Sequence, residues 1–590
     1  MVKKKLKYIL IVFLGILILS FGCQKSQTPE EIQSSFDSFL DDIFIEAVQS
    51  DTLSLNYTLS NPEDYGIDTN EATLGEYSVA IMQNGLFKTE NYLNRLLSFE
   101  YEKLNENQKL TFDILKEYMK QDMEFGNYLY YSEVLGPTTG IQAQLPILLA
   151  EYNFYDKSDI DQYIKLLSCV DEYFEDIARF EIEKAERGLF MRNAVADRII
   201  EQCEAFIEYP EDNFLIEYFN EKILNYNSLT EEEIAFYKAG NRKAVLEHVI
   251  PAYETLIAVL YDLRGSGTND AGLYYYPEGQ AYYELLAKNK TGSNRSMEDM
   301  VTLLEDGIEE GISQITTIAL TDTEILDKYM DFSAFPLTDP EEILLDLKDD
   351  IVEDFPEAIP VNCEIKYVHE SLSEYLSPAM YLVPPIDNYL NNSIYINGND
   401  AHTLSTIYTT VAHEGYPGHL YQCVYFRNQN PAPIRNLMDF AGYDEGWATY
   451  VEMYSYHIAG IDANLARFLE ANNIIILCMY ARADIGIHYE GWKRNDVVNY
   501  ILRFINNESI ANMIYDTLLE EPAIYLPYAI GFLEIKELRE TAEHTLGEDF
   551  VAKDFHRFLL DIGPAQFDII NQHLDNWLND QSSVTVTYFE

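Results

Sequence analysis

Two histidines and a glutamate stand within seven residues of one another in Val411-Ala412-His413-Glu414-Gly415-Tyr416-Pro417-Gly418-His419. Two imidazoles four apart share one face of a helix and can hold a common zinc ion, with the glutamate after the first as general base. Here position i+4 is Pro417, which has no ligating atom. His419, six residues on, lies about 240° around a regular helix. An unbroken helix would point the imidazoles apart. Proline inside a helix removes a hydrogen bond and clashes with the preceding turn, and glycine tolerates unusual dihedrals. A bulge at Pro417-Gly418 is therefore expected to return His419 to the side of His413. Zinc needs a third protein ligand and an open position for water. Glu445, in Asp444-Glu445-Gly446-Trp447-Ala448-Thr449-Tyr450-Val451-Glu452, is the candidate. Glu452, seven residues later on the same helical face, is placed to orient a ligand histidine. Only ten histidines occur in 590 residues, so two beside one Pro-Gly breaker weigh against an ordinary surface helix. The expectation is one Zn²⁺ per chain held by His413, His419 and Glu445, with Glu414 taking a proton from the attacking water.

These groups must be carried by helices. Glycine (28) and proline (20) are scarce, and amphipathic periodicity predicts helices over 101–124, 158–190, 228–264 and 297–320. Thr28-Pro29-Glu30-Glu31 reads as a capping box with proline at the first helical position. Breaks are expected at Asn61-Pro62, Gly136-Pro137, Gly265-Ser266-Gly267 and Asp339-Pro340. Strand candidates are few: 363–368, 380–384 and 393–397. The expected fold is mainly α with a small β element near the zinc helix. Residues 36–355 would form helical walls and 356–590 the zinc-binding part.

The first 22 residues read as an address. Lys3, Lys4, Lys5 and Lys7 precede an apolar stretch, Tyr8–Gly22, shorter than the roughly 20 residues of a membrane span. That is a secretory signal pattern. Gly22-Cys23 is similar to a bacterial lipobox, in which the cysteine is lipidated; an uncleaved anchor is the alternative. Either places the body outside the cytoplasm, with residues 23–35 as a tether and the lipid anchor as the contact with membrane. Loss of residues 1–22 takes the net charge from −59 to −63. So acidic a surface repels phosphate, which argues against nucleic acid as a partner, and it favours neutral or cationic peptides. Cys169, Cys203, Cys363, Cys423 and Cys478 match neither a disulfide framework nor a zinc-finger spacing and are expected to be buried thiols, with one disulfide as the alternative.

VAHEGYPGHLYQ followed by DEGWATYVE resembles the bacterial domain-of-unknown-function 885 family, which is similar to Glu-zincin metallopeptidases, including angiotensin-converting-enzyme-like and thermostable-carboxypeptidase-like enzymes. GPTTGIQAQLP (136–146), SPAMYLVPP (377–385), ARADIGIHYEGW (481–492), PAIYLPYAIG (522–531) and FHRFLLDIG (555–563) extend the resemblance over nearly the whole chain. It departs at Ile524, where the family has glutamine, and at Ala523, where it has glycine. The resemblance implies a large two-lobed helical body with a deep cleft and the hydrolysis of short peptides, with His488 and Tyr528 facing the metal as donors to the oxyanion. Asp484, at i−4, either orients His488 or pairs with it on a helix surface. Glu-zincin clefts hold peptide as an added strand, and SIYIN (393–397), with Tyr395, is either that edge or a plain buried strand. Arg482, Lys536 and Arg539 are candidates to grip a terminal carboxylate, with surface ion pairing as the plainer role. Two other readings stay open: a zinc amidase or deacylase of a non-peptide substrate, and a peptide-binding lipoprotein without turnover. Oligomeric state is not legible.

Overall fold

A computed structural model describes residues 27–587, except 70, 227, 369–376 and 399–400. The signal segment and Cys23 lie outside the described residues. The chain is mainly helical. Helix α1 (Pro29–Val48) starts on the expected capping box: Glu31 N donates to Thr28 Oγ1 (3.3 Å), and Thr28 N donates to Glu31 Oε2 (2.9 Å). Its Ile32, Phe36, Phe39 and Ile43 recur at helical spacing and are buried. The span 23–35 is thus already helical, and packed, from Pro29.

Helix α2 (Glu106–Phe125) fills the first predicted stretch. The second divides into α3 (Lys157–Leu167) and α4 (Val170–Glu186). Between them Ser168 N and Cys169 N bond three residues back, to Lys165 O and Leu166 O, which tightens the chain out of α geometry. The third holds α5 (Glu231–Ala244), a π-turn (Val245–Val249) and α6 (Ile250–Leu263). The wider turn accommodates Pro251, whose ring would clash with the carbonyl four residues back in a regular helix. The continuous span 231–263 is long and apolar enough to cross a membrane. Its Val249, Tyr253, Leu256 and Leu260 are nevertheless buried in protein, so it serves as a core helix. Next come α7 (Gly279–Thr291), α8 (Met297–Thr321) and α9 (Pro340–Asp350), the last capped by Asp339.

Three strands follow, β1 (Asn362–Tyr367), β2 (Ala379–Leu382) and β3 (Asn391–Ile396). Their spatial order is β1-β3-β2, with β3 parallel to β1 and antiparallel to β2. The segment expected to be the open edge is therefore the central strand. Ile394 and Ile396 are fully buried, and both backbone sides of β3 are already paired, so it cannot accept a peptide. The strand that contacts the helix carrying His413 and Glu414 is β2, through Tyr381.

After the sheet come α10 (Tyr408–Glu414), α11 (His419–Asn428), α12 (Ala441–Ser455), α13 (Ala463–His488), α14 (Glu508–Glu520), α15 (Leu526–Leu546) and α16 (Ala552–Ile562). The core does not divide at residue 355. One large cluster joins α1, α2 and α7–α9 to the helices after residue 400. A second is built almost wholly from residues 135–260. Hydrophobic partnership thus separates the middle of the chain from its two ends. Cys169, Cys203, Cys363, Cys423 and Cys478 are all free thiols.

Candidate metal centre

The helix carrying His413 stops at Glu414, and a new one begins at His419. Gly415 (φ −108°, ψ −105°) and Gly418 (φ −79°, ψ −138°) redirect the chain between them, and the Tyr416–Pro417 bond is cis. Gly418 passes so close to the end of α10 that a Cβ there would lie 1.8 Å from His413 O, a space only glycine leaves open. Trp447, from α12, donates its indole N–H to Pro417 O (2.9 Å) and pins the kink. The predicted bulge is thus a complete break, and it has the predicted effect: the two imidazole rings lie 4.8 Å apart, edge to face.

Glu445 enters from α12. Gly446 and Gly531 bring α12 and α15 into backbone contact, so that a Cβ on Gly446 would lie 2.5 Å from the Gly531 carbonyl carbon. This crossing places Glu445 opposite the histidines, with Tyr528 beside it. Glu445 Oε2 is 3.4 Å from His413 Nε2 and 3.5 Å from His419 Nε2. The ligand atoms of all three residues lie within 4.8 Å of one another. Glu445 Oε2 is buried and makes no hydrogen bond of normal geometry. N–H···O bonds span about 2.7–3.2 Å. Atoms about 2.0–2.2 Å from one tetrahedral ion are separated by roughly 3.3–3.6 Å. The Glu445 contacts match ligand spacing better than hydrogen bonding, and the donor set, two imidazoles and a carboxylate, fits a zinc ion.

The supporting contacts follow the same logic. Glu452 Oε2 lies 3.2 Å from His413 Nδ1, where it fixes the ring and turns Nε2 toward the centre, and Asn473 Nδ2 donates to the other Glu452 oxygen (3.3 Å). Burial draws both histidines down, but Glu445 and Glu452 carry His413 well above its ordinary pKa, and Glu445 raises His419. Burial would raise Glu445; the two imidazoles outweigh it and hold the carboxyl far below its usual range. Asp444 is pushed up to about 7 by burial. Glu414 Oε2 accepts the N–H of Tyr381 on β2 (2.8 Å), which orients the carboxylate. The Tyr528 ring is 6.3 Å from that of His413. Burial, then Glu445 and Glu414, hold its phenol well above its ordinary pKa, so it stays a donor.

The remaining expectations are corrected. His488 is 1% exposed, and both ring nitrogens are bound to main chain: Nδ1 accepts Leu273 N–H (3.1 Å), and Nε2 donates to Leu518 O (2.9 Å). Burial pulls its pKa to about 4. It is a neutral core histidine and has no proton to offer an oxyanion. Asp484 neither orients it nor pairs with it; it accepts Tyr283 Oη–H and Ala523 N–H. Ala523 has φ +66°, the left-handed region glycine favours. Ile524 packs against the apolar side chains of α13, α14 and their neighbours. Arg482 is buried, pairs with the more exposed Glu305 and Glu490 and stacks on Trp492, which removes it from substrate binding. Arg539 bonds Glu543 and the Tyr450 hydroxyl in a different cavity, and Lys536 pairs with Glu310 and Glu540. Tyr395 is buried on β3 and donates to Glu151. Tyr381, Trp447 and Asn473 were missed; Trp447 lies two positions after Glu445, but the partners of all three, Glu414, Pro417 and Glu452, are distant along the chain.

A helical protein with a His-His-Glu cluster at the meeting of a broken helix and a glycine-lined crossing is the class defined here. The sequence matches the family described as bacterial protein of unknown function (DUF885) over residues 62–574, and the chain belongs to that family. No curated protein matches it in sequence. Among solved structures, it is similar to a protein from Colwellia psychrerythraea provisionally classed as a lipoprotein. That match has TM-score 0.83 and 18% identity over 93% of this chain and 99% of the other. A second, from Shewanella oneidensis, is provisionally classed as a lipoprotein of unknown function, with TM-score 0.62 and 15% identity over the same shares. At these identities the likeness establishes the fold.

Proposed function

We propose that this protein is a zinc-dependent hydrolase of peptide bonds in short peptides, held by a lipid on Cys23 at the outer face of a bacterial membrane. The observation that carries the reading is the convergence of His413, His419 and Glu445 at ligand spacing, beside Glu414 and Tyr528. A zinc ion bound there would polarise water and the scissile carbonyl, bringing the water's pKa toward about 7. Glu414, whose carboxylate is oriented by Tyr381 N–H, would take a proton from the attacking water and return it to the leaving amine. Tyr528 donates its phenolic proton in a hydrogen bond to the oxyanion. Restriction to short peptides rests on the resemblance to Glu-zincin peptidases. Placement at the membrane is supported by the leader, by Gly22-Cys23 and by the classing of the two structural relatives as lipoproteins.

The test combines elemental analysis of the purified chain with a panel of short peptides and acylated amines. One equivalent of zinc and peptide cleavage are expected, with Glu414→Gln keeping the zinc and losing turnover. Full activity in Glu414→Gln removes Glu414 from the mechanism. Cleavage of acylated amines alone makes the enzyme an amidase, and zinc-dependent peptide binding without cleavage makes it a binding protein.

A further inference from the structure

A cavity of about 370 Å³ adjoins the metal cluster and carries a feature the proposed hydrolysis does not use. It is lined by His419 and Glu445, and by Gln422, Cys423, Phe426 and Arg427, which continue from His419 along one face of α11 at i+3, i+4, i+7 and i+8. Arg435, from the turn Pro433–Asn436, also lines it. Arg435 is 4% exposed. Its Nη2 donates to Ile562 O (3.0 Å) and Pro564 O (2.9 Å), and its plane lies over Phe426. Its Nε has no hydrogen-bond partner. Arg427 is half-buried and donates through Nη1 to the carbonyls of Pro384 and Pro385.

Among the described residues, neither guanidinium has a carboxylate within 4.0 Å, whereas Arg482 and Arg539 are both paired. In a chain of 99 acidic residues, two unpaired guanidiniums in one cavity need a reason. Burying a cation without a counter-ion is costly. The planar fork of an arginine fits a carboxylate oxygen pair. The Gln422 amide approaches Tyr443, yet its Nε2 makes no well-formed hydrogen bond and is a further donor at the wall. Asp444 lines the cavity too, but its carboxylate interacts with His419 and Glu445, at the metal end. The volume lies within the range of ligand pockets, about 300–1,000 Å³, and is enough for a terminal residue.

We infer that this cavity receives the free C-terminal carboxylate of the substrate, gripped by Arg427 and Arg435, so that cleavage falls close to that end. The inference rests on the peptide-hydrolase reading and narrows it to a carboxypeptidase type.

An N-acetylated tripeptide, as the free acid and as its C-terminal amide, is titrated calorimetrically into zinc-loaded Glu414→Gln protein. Both are also incubated with zinc-loaded wild type and followed by mass spectrometry. The acid is expected to bind about ten- to a hundredfold more tightly than the amide, the range of a charge-assisted contact. Adding Arg427→Gln should abolish the preference, with Arg427→Lys restoring part of it. Arg435→Gln should do the same, and the Arg427 variants carry the test if that protein fails to fold. Equal binding of acid and amide, or a preference unchanged by Arg427→Gln, overturns the proposal. Tight binding of the acid without cleavage by wild type sinks the hydrolase reading and leaves the carboxylate site. Cleavage of acid and amide with equal kcat/KM does the reverse.

Discussion

Glu452 does not touch the metal position, so its removal isolates the value of orienting one ligand. Its Oε2 lies 3.2 Å from His413 Nδ1, and the two side chains are 21% and 11% exposed. A hydrogen bond to a charged partner contributes about 1.5–3 kcal/mol. Partial exposure favours the lower half of that range. Glu452→Ala should therefore weaken zinc binding about 10- to 50-fold, within the usual 10–100-fold effect of such outer partners. Glu452→Gln keeps an acceptor but loses the charge, and should cost about 3- to 10-fold. Competition with a fluorescent zinc chelator at pH 7.5 reads both values without any substrate. Glu470→Gln, which breaks the His457–Glu470 pair elsewhere on the surface, is the control and should leave zinc affinity unchanged. A folded Glu452→Ala protein that binds zinc within twofold of wild type would show that His413 is not a ligand oriented in this way.

Tyr528→Phe should keep its zinc and lose about a hundred- to a thousandfold in kcat, read by peptide cleavage with parallel metal analysis. Gly418→Ala must push a methyl group into His413 O, and should lose about 3 kcal/mol or more of stability in denaturant melts together with its metal. His488 has a folded pKa of about 4 against an ordinary 6.5. Its stability contribution is therefore present above pH 6.5 and lost as pH falls from 6.5 through 4, because the unfolded chain binds the proton first. The loss amounts to about 3 kcal/mol over that window. Denaturant melts between pH 7.5 and 5 should be visibly flatter for His488→Gln, although buried His556, also drawn to about 4, keeps some slope in both.

The cluster was legible because its signal is local: His413, Pro417, Gly418 and His419 encode a helix that must break, and Glu445 and Glu452 encode a face. Capping at Thr28 and all three strands were legible for the same reason. What failed depends on partners far along the chain. Nothing near His488 announces that Leu273 and Leu518 will claim both of its nitrogens. Nothing near Arg482 names Glu305. Alternation marks 393–397 as a strand but cannot say that it lies between two others. The division of the core was illegible too, because α1 and α2 pair with helices several hundred residues later. Arg427 was within reach: it follows His419 by eight positions on one face, but its lack of an acidic partner is a property of the folded chain.

The meeting of Gly446 with Gly531 has a consequence for how this protein tolerates change. Main chain rests on main chain there, so no side chain can be trimmed to admit a larger neighbour. Every replacement, alanine included, wedges α12 from α15 and shifts Glu445 and Tyr528 together. A saturation library read by zinc retention should therefore be intolerant at both glycines.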